Sequence, residues 1–237
     1  MSTTTGDDEV VASAVALLWG ERAAPTRGPK RSLSVEQIAD AAVAVADAEG
    51  LDAVSMQRVA EGLDVTKMSL YRYVSGKAEL VAVMIERAVG EPPDLRRVRG
   101  WRARLERWVR LMSDAWDVHP WLPWATVGPR VIGPREAGWT EAAVAAMQET
   151  PLTPQQCTDV VSTVSGLLRN TQSDIVTGSQ PWHDAGHARL VRQHADRYPA
   201  LSRVATTRPR TPRQARDFGL RCLLDGVELH IERAAER

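Results

Sequence analysis

Apolar residues recur every three or four positions along most of this chain, the spacing of one buried face of an α-helix. The clearest stripe is Ile38, Ala42 and Val45, in a segment that begins at Ser34-Val-Glu-Gln37. A serine followed three residues later by glutamine is the capping-box signature of a helix start, and Gly50 supplies the left-handed position expected at its end. Because no segment alternates apolar and polar residues as a half-buried strand does, the pattern predicts an all-α fold.

Breaks in the helical pattern divide the chain into three parts. Residues 1–33 are predicted to be a flexible, basic N-terminal extension that contains an apolar helix candidate from Val10 to Glu21. Residues 34–88 are predicted to form a compact helical domain, which Gly90-Glu-Pro-Pro-Asp94 separates from a helical domain of residues 95–237. The longer helices expected in that last part span residues 101–118, 138–148, 154–177, 183–198 and 213–234.

Residues 55–77 predict two short helices joined by a tight turn. Ser55 and Thr66 stand where N-caps are expected, and Thr66 precedes a predicted seven-residue helix, 67–73, with polar, basic and aromatic side chains on one face. No acidic residue occurs between Val65 and Ala78, so this surface carries charge of one sign. This layout is that of a helix-turn-helix, which places its second helix in the major groove of DNA.

The charge distribution permits DNA binding although the chain has 30 basic and 30 acidic residues and therefore no net charge. The only lysines are Lys30, Lys67 and Lys77, and Arg22, Arg27 and Arg31 add to a stretch without acids that extends to Val35. A local basic stripe on a neutral protein is sufficient to steer the approach to phosphates.

Other features restrict the cellular setting. No apolar run approaches the roughly 20 residues that span a bilayer, and acidic residues stand where a signal peptide would be basic. Cys157 and Cys222 are far apart and do not have metal-site or disulfide spacing. We therefore expect a cytoplasmic protein that does not associate with membranes.

With this order of elements, residues 34–88 resemble the tetracycline-repressor (TetR) family of bacterial transcription regulators. The residues that carry the resemblance are Ala60, Leu63, Val65, the run Leu70-Tyr71-Arg72-Tyr73-Val74, and Lys77. The resemblance implies an N-terminal three-helix helix-turn-helix DNA-binding domain and a helical C-terminal domain for ligand binding and dimerisation. It also implies a homodimer that binds palindromic double-stranded operator DNA and a small-molecule effector.

Two residues depart from the family pattern. Asp64 stands at the turn position where the family has glycine, and Met68 replaces a usually small residue of the second helix. Aspartate tolerates the left-handed conformation moderately well, so we expect the turn to form at modest cost. Met68 is expected to alter which bases the helix reads.

Carried over by position, the family pattern divides the exposed residues of this region into two groups. The candidates for contacts with base edges are Gln57, Lys67, Met68 and Tyr71. The candidates for contacts with phosphates, which fix register without reading sequence, are Thr66, Ser69, Tyr73 and Lys77. Leu70 and Val74 are predicted to be core residues. The alternative for each candidate is a solvated helix surface.

The segment Arg27-Gly-Pro-Lys30 supports a further hypothesis. A flexible arm of this composition can place Arg27 in the minor groove beside the half-site, with Lys30 contributing positive charge nearby. The alternative is a disordered tail that has no role beyond solubility.

The C-terminal domain gives weaker signals about an effector. Six of the eight tryptophans lie between Trp101 and Trp139, and Trp116, Trp121 and Trp124 flank His119 and a proline-rich stretch. These three indoles are candidates for the wall of an aromatic-ligand site, with Asn170 and Asp174 as polar groups that orient the ligand. The alternatives are ordinary core tryptophans and the solvated end of a helix.

The last predicted helix is a candidate for dimerisation. It carries Phe218, Cys222 and Leu229, with Gly219 and Gly226 two turns apart. Small residues at this spacing allow helices to approach closely, and with the helix around 160–168 they favour a four-helix dimer interface. The alternative is packing within one subunit.

Catalytic signatures are not recognisable in this sequence. His183 and His187 have the i, i+4 spacing of a metal pair but lack the His-Glu-x-x-His context, so we expect no metal and no cofactor. We predict a ligand-responsive regulator, most simply a repressor that a small hydrophobic or aromatic effector releases from DNA. The alternatives are an activator or corepressor-type regulator, and a small-molecule-binding protein with weak DNA binding.

Overall fold

The computed structural model describes residues 5–20, 33–172, 185–208 and 210–235, and all regular elements in those ranges are helical. The helices are α1 (Thr5–Leu18), α2 (Val35–Glu49), α3 (Met56–Gly62), α4 (Lys67–Tyr71), α5 (Lys77–Val89), α6 (Trp101–Val118), α7 (Leu122–Ala125), α8 (Pro134–Ala145), α9 (Pro154–Gln172), α10 (Ala185–Gln193), α11 (Pro199–Val204) and α12 (Pro212–Ala235). The all-α prediction is confirmed. Among these residues, no helix has both the length and the apolar character that crossing a membrane requires.

The chain divides into two compact units, Met1–Met147 and Gln148–Arg237. In the first unit, α2 packs along α5 and α3 packs beside them. Their core contains fully buried apolar side chains from four helices and the adjoining loop, namely Ile38, Val59, Leu70, Val74, Leu80 and Met84. Burying a side chain of this size contributes roughly 1.5–3 kcal/mol, so this core accounts for much of the stability of the region from α2 to α5.

The ends of α2 follow the sequence prediction with one difference. The backbone N–H of Gln37 donates to Ser34 Oγ at 3.2 Å, and the N–H of Ser34 donates to Gln37 Oε1 at 3.0 Å, which completes the capping box. Gly50 has the expected positive φ of 88°, but its ψ of 163° is extended rather than left-handed helical. The chain therefore leaves α2 in an extended step and enters a short 3₁₀ turn, Leu51–Ala53.

The described part of the N-terminal extension is α1, which begins five residues before the predicted helix and ends at Leu18. Helix α1 contacts α5, and Ala14 is buried. Beyond its end, Trp19 Nε1 donates to the carbonyl oxygen of Ile132 at 3.1 Å. Residues 5–20 are thus held against the first unit. The predicted arm residues Arg27 and Lys30 lie outside the described residues.

Helices α6 to α8 belong to the same unit, and α8 is fixed to the end of α5 by polar contacts. The buried carboxylate of Glu86 accepts the backbone N–H groups of Arg135 at 2.8 Å and Glu136 at 3.0 Å, so a side chain of α5 caps the N-terminus of α8. In return, Trp139 Nε1 of α8 donates to the carbonyl oxygen of Val89 at 3.1 Å. A Cβ at Gly133 would overlap the Glu86 side chain, so the close approach requires glycine.

In the second unit, α9 and α12 form an antiparallel pair. The pairing is marked near its two ends by Gln156 Nε2 with His230 Nε2 at 3.2 Å and by Arg216 Nη1 with Gln172 Oε1 at 3.4 Å. Between them, a Cβ at Gly219 would lie 2.8 Å from a Leu167 methyl carbon. The predicted helix 183–198 is shorter in the structure, since α10 ends at Gln193.

Helix α11 lies between the predicted helices 183–198 and 213–234, where no helix is predicted. Pro199 occupies its first turn, where a missing N–H and a fixed φ favour helix initiation. That proline was the available signal for this helix. Residues 173–184, which include Asp174 and the end of the predicted helix 154–177, lie outside the described residues.

Candidate DNA interface

The two helices of the predicted helix-turn-helix are α3 and α4, and both have the predicted caps. Ser55 Oγ accepts the N–H of Arg58 at 3.1 Å, and Thr66 Oγ1 accepts the N–H of Ser69 at 3.2 Å. Helix α4 ends at Tyr71, two residues before the predicted end. The difference is small because Arg72 keeps helical angles and the N–H of Tyr73 donates to the Leu70 carbonyl at 2.9 Å, a 3₁₀-type last turn.

The turn between the helices is built around Asp64. Among the described residues, Asp64 is the one non-glycine residue with positive φ, at 53°. The N–H of Val65 donates to the Ala60 carbonyl at 3.0 Å, and the N–H of Asp64 donates to the Glu61 carbonyl at 3.3 Å. These two bonds form a Schellman motif, so the turn predicted to tolerate aspartate does form.

The exposed face of α4 brings three of the predicted base-reading residues together. Met68 is 72% exposed and Tyr71 38% exposed, whereas Leu70 between them is fully buried. Lys67 Nζ lies 5.7 Å from the centre of the Tyr71 ring, within the range of a cation–π contact. Cationic, thioether and aromatic groups are therefore presented side by side.

The other predicted contact residues border this face. Gln57 on α3 is exposed, and its side-chain amide donates to Glu61 Oε1 at 2.8 Å, which orients the amide along the helix. Thr66 Oγ1 and Ser69 Oγ are 2.9 Å apart and hydrogen bonded to each other. Tyr73 is half-buried and Lys77, the first residue of α5, is exposed.

Two groups that the sequence analysis missed support this surface. Glu79 is buried, and its carboxylate accepts the N–H of Ser75 at 2.6 Å, which fixes the turn that precedes Lys77. A glutamate at the third position of a helix was the available signal. Arg58 on α3 donates from Nε to the Glu49 carboxylate of α2 at 3.1 Å, and this bond holds the pKa of Glu49 below its ordinary value.

The residues predicted to line an effector site have different environments. Trp116 is buried within α6, Trp124 is 46% exposed, and Asn170 is exposed on α9. Trp121 is 4% exposed, and its Nε1 donates to Asp47 Oδ1 of α2 at 2.7 Å. The assignment of these residues to a ligand site stays a prediction. Trp108, another tryptophan of α6, is buried and donates to the Trp139 carbonyl at 2.8 Å.

Comparison with known protein families agrees with this geometry. Residues 38–84 match the family described as bacterial regulatory proteins, tetR family, and residues 93–231 match the tetracyclin repressor-like C-terminal domain. The chain belongs to the TetR family. Its N-terminal helix-turn-helix is therefore the DNA-binding element of a TetR-family transcription regulator, and α6 and the helices after it lie in the region of the TetR C-terminal domain.

Individual TetR proteins are similar over almost the whole chain. The HTH-type transcriptional repressor DrrR1 of Streptomyces coeruleorubidus is 33% identical over 97% of this chain and 90% of its own length. The TetR family protein ActR of Streptomyces coelicolor in complex with (S)-DNPA has a TM-score of 0.72 at 21% identity, covering 85% of this chain and all of ActR. ActR in complex with actinorhodin gives a TM-score of 0.71 at 20% identity, covering 85% of this chain and 98% of ActR. At these identities the likeness to ActR shows the fold alone.

Proposed function

We propose that this TetR regulator is a homodimeric repressor that binds a palindromic operator in the cytoplasm and is released by a small hydrophobic or aromatic effector. The observation that carries the DNA part is the exposed face of α4, where Lys67, Met68 and Tyr71 project from a helix anchored by buried Leu70. The relative named as a repressor supports the direction of regulation.

Each group on this face suits a different part of DNA. A lysine ammonium donates to guanine O6 and N7, and a methionine methyl or a tyrosine ring edge packs against a thymine methyl. Gln57 donates its amide hydrogen to Glu61, which leaves its carbonyl oxygen as an acceptor for an amino group of adenine or cytosine. Thr66, Ser69, Tyr73 and Lys77 are assigned to phosphates, which position the protein on the duplex.

The homodimer rests on α12. Phe218 and Leu229 are about half exposed, and Cys222 between them is also exposed. Gly219 faces Leu167 of the same chain, whereas a Cβ at Gly226 would meet nothing within 4 Å. The contact of Gly219 therefore favours packing within one subunit. The surface available to a second copy consists of Gly226 and the exposed residues Phe218, Cys222 and Leu229. Two-fold symmetry also doubles the few base contacts that one helix-turn-helix makes.

The effector is assigned to the C-terminal domain. ActR, a protein of this fold, forms a complex with actinorhodin, and Trp116 and Trp124 supply aromatic groups in this region of the chain. Binding would favour a conformation in which the two α4 helices no longer fit successive major grooves. A shift from mostly bound to mostly released requires the ligand to prefer the released state by about 5 kcal/mol.

The first test of this proposal is selection of binding sites from a random DNA pool. The wild type should recover a palindrome, and a Tyr71→Ala/Lys77→Ala variant should lose it. A matched control is Tyr198→Ala/Arg203→Ala, because Tyr198 is 40% exposed and, like Tyr71, has a cation over its ring, here Arg197 at 5.4 Å. Weak, salt-sensitive binding without sequence preference in the wild type would contradict the repressor assignment and favour a small-molecule-binding protein.

Sedimentation tests the dimer separately. The wild type should sediment as a dimer, and Phe218→Asp/Leu229→Asp should sediment as a folded monomer with much weaker operator binding. Leu190→Asp on α10 is the control, since Leu190 is also about half exposed but lies outside the α12 stripe. A monomeric wild type would refute the homodimer.

Release from DNA tests the effector. Actinorhodin and (S)-DNPA, the ligands in the ActR complexes, are the first probes to titrate into the protein bound to its selected operator. Release supports a repressor with an aromatic effector. Tighter operator binding on ligand addition would instead favour the corepressor-type alternative.

A further inference from the structure

The carboxylate of Asp47 joins α2 to the corner between α6 and α7. Its Oδ1 accepts Trp121 Nε1 at 2.7 Å, and its two oxygens lie 2.9 and 3.1 Å from His119 Nδ1. His119 is the C-cap of α6 and Trp121 the N-cap residue of α7, and their rings contact each other with centres 5.9 Å apart. One acceptor therefore holds both ends of the corner.

These contacts reach the DNA-reading helices without passing through α5. Glu49 lies two residues after Asp47 on α2, and its carboxylate binds Arg58 of α3, the first helix of the helix-turn-helix. Hydrogen bonds to a charged acceptor are strong and directional, so they restrain angle as well as distance. The α6–α7 corner is therefore hydrogen bonded to α2, and α2 is hydrogen bonded to α3, through two carboxylates that lie two residues apart on α2.

Helix α5 has its own, separate contacts with α8 through Glu86 and Trp139. Helix α5 also packs against α6 and α7. The contacts of one helix restrain rotation about its own axis poorly, whereas a further contact from a second helix restrains it. Asp47 supplies such a contact from α2.

We propose that Asp47 is a positioning residue that, through His119 and Trp121, sets the orientation of the helix-turn-helix and thereby the operator spacing that the protein accepts. This inference rests on the homodimer and palindromic operator proposed above. Asp47 touches no base in this assignment, and loss of its carboxylate leaves the caps of α3 and α4 and the Glu49–Arg58 contact in place.

Spacing between half-sites is the property to measure. Inserting or deleting one base pair at the centre of the palindrome moves one half-site by about 3.4 Å and rotates it by about 34°. A dimer whose two DNA-binding domains are held in a fixed orientation loses contacts in one half-site, which weakens binding on the order of 100-fold. A dimer whose DNA-binding domains rotate freely tolerates the altered spacing, but it binds the original operator more weakly.

The experiment compares wild type, Asp47→Ala and Trp121→Phe on the selected operator and on operators one base pair longer and shorter. Asp40→Ala is the matched control, since Asp40 is also an α2 carboxylate but pairs with Arg87 of α5. Binding is measured well below each variant's melting temperature, so that all are folded. We expect Asp47→Ala to reduce the spacing preference at least tenfold, Trp121→Phe to reduce it less, and Asp40→Ala to keep it.

The outcomes separate the two proposals. If the wild type discriminates between spacings and Asp47→Ala discriminates equally well, the positioning role is wrong and the palindromic dimer stands. An equal loss of spacing preference in Asp40→Ala would also refute the positioning role, because removing any carboxylate of α2 would then have the same effect. If the wild type shows no spacing preference, the palindromic operator is refuted and the positioning role with it. Unchanged base preference within each half-site in Asp47→Ala is expected, since α4 is not altered.

Discussion

The hydrogen bonds that stabilise the helix-turn-helix join residues close together in sequence, whereas those of the tryptophans on α6 to α8, in the same unit, join residues far apart. In the helix-turn-helix, the fixing hydrogen bonds join residues three to five positions apart, such as Ser55 with Arg58 and Val65 with Ala60. Among the tryptophans, the indole donors reach 31, 50 and 74 positions along the chain, from Trp108 to Trp139, Trp139 to Val89 and Trp121 to Asp47.

This difference explains what an indole does here. A tryptophan buries a large apolar surface but retains one N–H that needs an acceptor when buried. Val89 and Gly90 offer carbonyls at the end of α5, where a helix has no internal donors left, and Trp139 supplies one. The indoles therefore work as bridges between helices in addition to filling space.

The largest effect is predicted for a substitution that removes a long-range contact between α5 and α8 and leaves the DNA-reading face unchanged. Glu86→Ala removes the carboxylate that caps α8 and leaves the N–H groups of Arg135 and Glu136 without this acceptor. Loss of a helix cap together with partly buried donors costs about 2–3 kcal/mol. Urea unfolding measures it, with Glu91→Ala as control, because Glu91 is largely exposed and also pairs with Arg135. An equal effect of both substitutions would contradict the capping role.

A second prediction compares two tryptophans. Trp139→Phe removes a buried indole and its bond to Val89, and we expect a loss of about 2 kcal/mol. Trp124→Phe alters a side chain that is 46% exposed and should change stability by less than about 0.5 kcal/mol. Thermal melts of both variants are the measurement. A stability cost at Trp124 equal to that at Trp139 would mean that long-range donation is not the relevant difference.

The same contrast determines what the sequence could predict. The caps at Ser34, Ser55 and Thr66 and the turn at Asp64 depend on residues a few positions apart, so short motifs were sufficient to place them. The partner of Trp121 was not predictable, because the packing of α2 against the α6–α7 corner, and not the local sequence, decides which distant carboxylate accepts the indole N–H. For the same reason Glu86 was missed, since its contacts depend on how α5 and α8 pack against each other. Glu79 was missed although its partner, Ser75, is only four positions away.

A third prediction concerns the short-range contacts of the helix-turn-helix and tests the turn at Asp64. Asp64→Gly should stabilise the protein by about 0.5–1 kcal/mol, since glycine adopts positive φ without the steric cost that an L side chain incurs, partly offset by the greater entropy of the unfolded chain. Asp52→Gly is the control: Asp52 does not have positive φ, so glycine there should destabilise. Chemical denaturation measures both. Destabilisation by Asp64→Gly would show that the aspartate side chain contributes more than its backbone conformation costs.

The smallest predicted effect concerns pH and the contact between α2 and α3. Hydrogen bonds from Arg58 hold the pKa of Glu49 below its ordinary value of 4.5. The ionised carboxylate therefore contributes stability that is fully present above pH 4.5 and is lost as the pH falls through the lowered pKa. Both side chains are substantially exposed, so solvent screens the pair and the effect is small. Unfolding midpoints of wild type and Glu49→Gln should differ slightly at pH 7 and converge once the pH has fallen below the lowered pKa of Glu49. A constant difference across this range would mean that Glu49 acts through packing rather than through its charge.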